Sequence, residues 1–389
     1  ITTIRSIGQF SAENFNDTLA KYLLSYDSNQ YVSIAEALRL AKNANPNAST
    51  NVVFYIGDPA LFLAIPQQKI RLTEVNDVPV GPTIDDFKSL ARIKLTGEIT
   101  DENESLLSNY NGELSTTIFD KIITRETYNN DGNSPPINFT TLGETIFRGN
   151  ATVTNGRFEF SFVVPRDIRI PLGNGKISFY AKKDQQLENK TGFDTSIKIG
   201  GINKDAAEDN KNPTVKLYMN DETFLSGGIT NASPFLLAFL EDENGINTAG
   251  GIGHDIVAIL DGDVSNPYLL NDYYQTSLDD YTSGNLRFPL RNIEVGLHTI
   301  TFKAWDVYNN PITAEIQFVV MGDDNITLTN VLNYPNPFVN YTQFWFSHNR
   351  PYEPLAVQIQ VITITGKVIW TKNQIISTEG FLSKEISWD

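Results

Sequence analysis

Hydrophobic and polar positions alternate with a period of two along most of this chain. In Arg157-Phe158-Glu159-Phe160-Ser161-Phe162 the three phenylalanines fall on one face, which predicts a strand with one side in a core. Asn155-Gly156 in front of it is a tight hairpin signal, because both residues tolerate positive φ. Gly173-Asn174-Gly175 precedes a further strand over 176–181. The same reading predicts strands over 214–219, 234–240, 255–260, 298–305 and 314–320. Near the end, Thr342-Gln343-Phe344-Trp345-Phe346 and Val357-Gln358-Ile359-Gln360-Val361 alternate again. A turn at Thr365-Gly366-Lys367 then leads into Val368-Ile369-Trp370.

The first 66 residues have a different period. Helices are expected over 14–24 and 33–42, the second with Ile34, Ala37, Leu38 and Ala41 on one apolar face. Ser33 fits an N-cap, with Glu36 as its capping-box partner. A polar stretch over 43–51 ends that helix. Val52-Val53-Phe54-Tyr55-Ile56 is apolar on both faces and predicts a buried strand of a helix-covered parallel sheet. Gly57-Asp58-Pro59 then terminates it, with Asp58 placed to cap the N–H groups beyond the turn.

These changes divide the chain into residues 1–66, the tail of an α/β domain; 67–200 and 201–322, two β-sandwich (Ig-like) domains; and 323–389, a small C-terminal β-sandwich. The expected fold class is mainly β. Residues 128–136 form a polar surface loop, 200–212 a charged linker, and Asp323-Asp324-Asn325 a second linker.

Composition narrows the chemistry. The 389 residues carry 46 acidic and 30 basic side chains, a formal charge of −16. Such a surface repels a phosphate backbone, so nucleic acid is not an expected partner, and the charge suits a soluble secreted protein. Cysteine is absent and histidine occurs only at 254, 298 and 348. No disulfide, thiolate nucleophile or Cys–His pair can be assembled, and no catalytic residue is assigned. No window approaches the eighteen or so consecutive apolar residues of a membrane-spanning helix. The first residues show no signal-peptide pattern, so in an exported protein that segment is expected to have been lost or to lie upstream.

Four side-chain groups warrant weighing. Gly251-Ile252-Gly253-His254-Asp255-Ile256 offers a His–Asp pair for proton transfer, but without a nucleophile it reads better as a glycine-rich loop with a locally bonded His254. Asp242-Glu243-Asn244-Gly245 has the oxygen donors of a calcium loop, yet the twelfth position, Gly253, lacks the EF-hand carboxylate. A non-EF site drawing on Asp205, Asp209, Asp242 and Asp306 is the metal candidate, and calcium the one cofactor entertained. Arg157, Arg166 and Arg169 make a modest basic group expected to face solvent. Tyr268, Tyr273, Tyr274 and Tyr281 cluster in sequence, as a carbohydrate platform or as tyrosines packed at a sandwich edge.

Three segments resemble known families. Leu332-Asn333-Tyr334-Pro335-Asn336-Pro337-Phe338, with the two alternating runs and the Gly366 turn behind it, resembles the C-terminal sorting domain of proteins exported by the type IX secretion system of Bacteroidetes-type bacteria. The run from Phe54 to Pro66 resembles the closing segment of the caspase-like domain in gingipain-family cysteine peptidases. The catalytic His and Cys of that family lie upstream of this segment and are not in the chain. The Gly251–Ile256 motif, with Leu260-Asp261-Gly262, Asn271-Asp272-Tyr273-Tyr274 and Trp305-Asp306-Val307-Tyr308-Asn309-Asn310, closely resembles the region after the peptidase domain in the gingipain-like surface sortase of that system. That likeness spans roughly residues 200–320, whereas 67–199 match only loosely.

The resemblance implies a parent enzyme at the cell surface, associated with the outer membrane after export through the periplasm. Such a cysteine endopeptidase removes sorting domains from cargo and joins the cargo to anionic lipopolysaccharide. It implies that this chain is an inactive C-terminal scaffold within a longer protein, with an incomplete terminal domain. Its docking residues would be Tyr334, Pro335, Asn336, Pro337, Phe338 and Gly366. The implied partners are a PorV-like outer-membrane β-barrel of the attachment complex, cargo sorting domains and, through the whole enzyme, anionic lipopolysaccharide. The alternative is a non-enzymatic adhesin or carbohydrate-binding module carrying the same sorting domain.

Overall fold

Strands dominate the computed structural model, which describes all residues except 4–5, 26–30, 47–49, 64–67, 102, 131, 133–134, 187, 251–252, 323–325, 379 and 389. Two compact units are present, Ile1–Gln67 and Gln68–Asp389, and both α-helices among the described residues belong to the first.

In the first unit, helices Gln9–Leu23 and Ile34–Ala44 pack through Phe15, Leu19, Ala37, Leu38 and Ala41 against Val53. Ser33 Oγ accepts the Glu36 N–H at 3.3 Å. The reciprocal half of the capping box is absent, because Arg39 grips the Glu36 carboxylate at 2.6 and 2.7 Å. The apolar run 52–56 is not a strand buried on both faces. Only Val53–Phe54 is extended, pairing antiparallel with Thr2–Thr3, and Ile56 is 73% exposed. One helical layer covers one side of this short ribbon, so the remaining apolar side chains meet solvent. Asp58 Oδ1 accepts the Ala60 N–H at 2.9 Å, the expected cap beyond the turn. Residues 64–66, the end of the gingipain-like segment, lie outside the described residues.

The second unit opens with a curled sheet. Its strands run in the order Thr145–Val153, Gly112–Phe119, Lys176–Lys183, Asn189–Asp194, Gln68–Val75, Arg92–Ile99 and Arg157–Val163. The first and last of these are joined by the Asn155-Gly156 turn, with φ of +52° and +76°. Two opposite edges only one turn apart require the sheet to fold back on itself. Phe147 from one edge accordingly stacks on Phe160 and Phe162 from the other, with centroids 5.9 and 4.7 Å apart. Phe158, Phe160 and Phe162 are 3, 7 and 1% exposed, as their alternation predicts.

Two facing sheets follow. One is Thr214–Met219, Phe235–Glu241, Asp280–Pro289 and Tyr274–Ser277. The other is Gly228–Thr230, Pro311–Val320, Gly296–Trp305, Val257–Leu260 and Tyr268–Leu269. Leu236, Ala238 and Leu240 from the first sheet meet Ile300, Phe302 and Phe318 from the second in one core. The hydropathy pattern missed Asp280–Pro289, whose first half is polar. Gly284 within it leaves room for the Tyr274 ring: a Cβ there would lie 2.4 Å from the Tyr274 hydroxyl. Strand Lys198–Ile202 occupies the start of the expected linker, so the irregular stretch begins at 203. The linker at 323–325 lies outside the described residues.

The last segment pairs Leu328–Tyr334, Thr342–His348 and Leu382–Trp388 in one sheet and Leu355–Ile362 with Val368–Ile376 in a hairpin. Phe346, Leu355, Ile376 and Ile386 form a small core between them, with Phe344, Val357 and Ile359 alongside.

Candidate functional site

Two places in the second unit gather chemistry-bearing side chains. The first is built on the second sandwich. The strands Phe235–Glu241 and Gly296–Trp305 end one residue before Asp242 and Asp306 respectively. The two loops are tied together: Val307 N–H donates to Gly245 O at 3.0 Å and Asn247 N–H to Trp305 O at 2.9 Å. Each aspartate folds its own loop. Asp242 Oδ1 accepts the N–H groups of Asn244 and Gly245 at 2.8 and 3.0 Å. Asp306 Oδ1 accepts those of Tyr308 and Asn310 at 2.9 and 2.7 Å. Asp209, from the irregular stretch after Ile202, comes down on both loops, where its Oδ2 accepts from Asn244 Nδ2 at 2.7 Å. The carboxylates of Asp209, Asp242 and Asp306 converge to within 4.8 Å of one another. Three of the four candidate metal ligands therefore meet. The fourth, Asp205, is exposed, with its N–H bonded to Asn203 Oδ1, and is outside the group.

The electrostatics of this cluster are unfavourable to its own charge. Burial pushes the Asp242 carboxyl up to about 6, and the neighbouring Asp306, Glu243 and Asp209 charges add to that effect against the opposing Asn244 bond. Asp306 is shifted upward too, again by burial first. Lys211 reaches toward them, but its ammonium pairs with exposed Glu243 at 2.6 Å.

Beside this cluster, His254 finds its hydrogen-bond partner among the described residues outside its own loop and not in its neighbour Asp255. Its Nδ1 lies 2.8 Å from Asp167 Oδ2, in the connection between strands Arg157–Val163 and Lys176–Lys183 of the curled sheet. Asp167 also accepts from Asn247 and Asn309. The reading of a locally bonded histidine is corrected: the loop's partner lies 87 residues earlier, a distance no local pattern signals. Gly251 and Ile252 of that motif lie outside the described residues. The three arginines expected as one solvated group are dispersed. Arg157 is exposed, Arg166 lies over the Tyr308 ring, and Arg169 pairs with buried Asp120 at 3.3 Å. Sequence reasoning also missed Lys121, whose buried ammonium donates to Asp120 and to the Arg169 and Ile199 carbonyls. The four tyrosines do not form one platform. Tyr274 is in the core, Tyr268 and Tyr273 pack on Phe288, and Tyr281 lies beneath Arg92.

The second place is the terminal segment. The run Pro335–Phe338 connects two antiparallel strands, and its Tyr334–Pro335 and Asn336–Pro337 bonds are cis. Thr342 Oγ1 donates to Pro335 O at 2.9 Å. Tyr334 leans on Trp345 at 5.1 Å, and Phe338 meets Trp388 edge-on at 5.4 Å. Trp388 stacks on Trp370, which stacks on Phe344. Gly366 sits apart from this row, at the tip of the hairpin with φ +84°, where the turn closes by Gly366 N–H to Thr363 O. Around that tip Ile362, Ile364, Val368 and Ile369 are all exposed.

No protein-family model matches the chain, and no curated protein matches it. Among solved structures it is similar to dimeric latent PorU from Porphyromonas gingivalis, at 29% identity over 95% of this chain and 35% of that one, with a TM-score of 0.42. The chain thus spans about a third of that protein. It is also aligned with a red sea bream transglutaminase (8% identity, 66% of this chain, 32% of that one, TM-score 0.19). A third alignment is with a bacterial ice-binding adhesin (9% identity, 81% and 86%, TM-score 0.19). The scores for these three superpositions do not establish a common fold. With no cysteine among its 389 residues, this chain performs no thiolate chemistry. No helix among the described residues is long and apolar enough to cross a membrane.

Proposed function

We propose that this chain is the C-terminal scaffold and docking part of a type IX surface sortase. The upstream, gingipain-like half would carry the cysteine peptidase chemistry that removes sorting domains and transfers cargo to anionic lipopolysaccharide. In this reading residues 1–66 close the caspase-like domain, and residues 323–389 are the sorting-type domain. The terminal domain would hold the enzyme at the cell surface on the extracellular side of an outer-membrane β-barrel protein.

The observation that carries the reading is the state of the terminal segment. The Tyr334–Phe338 run is braced by the Trp345 and Trp388 rings and the Thr342 bond, yet Tyr334 stays 58% exposed. Apolar side chains that are both held and uncovered suit a preorganised protein contact, because little ordering entropy remains to be lost on binding. Aromatic anchors backed by packing are the kind of residue that dominates such contacts. Deleting residues 330–389 from the whole enzyme and fractionating cells tests it. Loss of surface retention and of co-purification with the barrel is expected, whereas unchanged retention and co-purification would overturn it.

A further inference from the structure

The docking reading leaves the carboxylate cluster without a role, and that cluster has the makings of a cation site. Asp209, Asp242 and Asp306 come from three separate stretches of chain and bring carboxylate oxygens within 4.8 Å of one another. Like charges do not gather in a partly dry place without something to offset them. Asp306 is fully buried and Asp242 is 6% exposed. Asp242 Oδ1 is occupied by two backbone N–H groups, but its Oδ2 is shielded from solvent and has no hydrogen-bond partner. A buried carboxylate oxygen left in that state is strongly destabilising unless a donor or a cation meets it.

We propose that Asp209, Asp242 and Asp306 bind a calcium ion, which fastens the stretch between Ile202 and Thr214 onto the two loops of the second sandwich. The donors are hard oxygens, which excludes a preference for soft thiophilic metals. Three carboxylates from separate stretches of chain suit calcium's large, adaptable oxygen shell, whereas magnesium keeps several waters and takes only one or two carboxylates. The loops are already set by the Gly245–Val307 and Trp305–Asn247 backbone bonds, so two ligands stand ready and the third, Asp209, closes the site from the linker. Calcium would thereby stiffen the connection between the curled sheet and the second sandwich. This inference stands apart from the docking reading, since no residue of 330–389 takes part.

The whole 389-residue chain is stripped with a chelator and titrated with calcium chloride, with magnesium chloride as the comparison. Calorimetry should show one calcium site, at least tenfold weaker for magnesium, and the unfolding temperature should rise with calcium. Trypsin cleavage at exposed Lys204 and Lys211 should slow several-fold when calcium is added. D242N and D209N should each weaken calcium binding at least tenfold, and D205N should leave it unchanged. If D242N fails to fold, D209N, which alters a half-exposed residue, decides. Absence of calcium heat and of a thermal shift in the unaltered chain would overturn the proposal. So would equal responses to magnesium, or equal effects of D209N and D205N.

Discussion

His254 in the second sandwich lies 2.8 Å, Nδ1 to Oδ2, from Asp167, in the loop after strand Arg157–Val163 of the curled sheet. The same carboxylate accepts from Asn247 at 2.9 Å and from Asn309 at 2.8 Å. One acidic side chain thus gathers two loops of the neighbouring sandwich, the first through both Asn247 and His254 and the second through Asn309. Replacing it with alanine strands several part-buried polar groups. Asp167→Ala should lower stability by about 1–3 kcal/mol, read as a fall in the denaturant midpoint. An unchanged midpoint would show that the bonds are not made in solution.

Phe160 is buried within the curled sheet and stacks on Phe147. Phe160→Ala removes a large ring from a core that cannot fully collapse and should cost about 3–5 kcal/mol. Thermal unfolding is the measurement, and an unaltered transition would contradict the strand's facing.

Gly97 lies opposite Phe158, whose ring occupies the space a side chain would need. A Cβ there would stand 2.2 Å from the ring and 2.6 Å from the Arg71 carbonyl oxygen. Because the second obstacle is backbone, Gly97→Ala should destabilise by about 1–3 kcal/mol despite alanine's small size. Chemical denaturation of the variant checks this, and a neutral result would place the ring elsewhere.

His348 is fully buried in the terminal segment. Its Nδ1 accepts the Arg350 N–H and its Nε2 bonds Thr378 Oγ1 at 2.8 Å, which fits a neutral ring. Burial holds its pKa below the ordinary 6.5. The folded state therefore binds fewer protons than the unfolded state in that window. Its contribution is complete above pH 6.5 and is lost as pH falls through 6.5 toward the lowered folded value. Amide protection factors in the terminal segment, with the intrinsic pH dependence of exchange divided out, should fall on acidification across that range, and His348→Gln should flatten the response. Equal acid sensitivity in both proteins would count against the assignment.

Expressed by itself, this chain should show no thiol-blockable cleavage of a sorting-domain peptide, since it contains no cysteine. Turnover abolished by a thiol reagent would contradict that expectation.

Strand positions with clean alternation were legible by themselves. The Phe158 to Phe162 run, the Asn155-Gly156 turn and the Val357 to Val361 run depend on neighbours within a few residues, and side-chain period and turn chemistry are local properties. The Val52–Ile56 run was misread because an apolar stretch says nothing about how many layers will cover it. Acidic residues at 209, 242 and 306 could be singled out by type, but Asp205 looked equally suitable. Only the tertiary structure, by closing two loops on each other and laying the linker across them, decided which three meet. It likewise gave His254 to Asp167 rather than to Asp255. Contacts of that kind are set by how whole sheets pack, and packing is a property of the assembled core rather than of any stretch of chain.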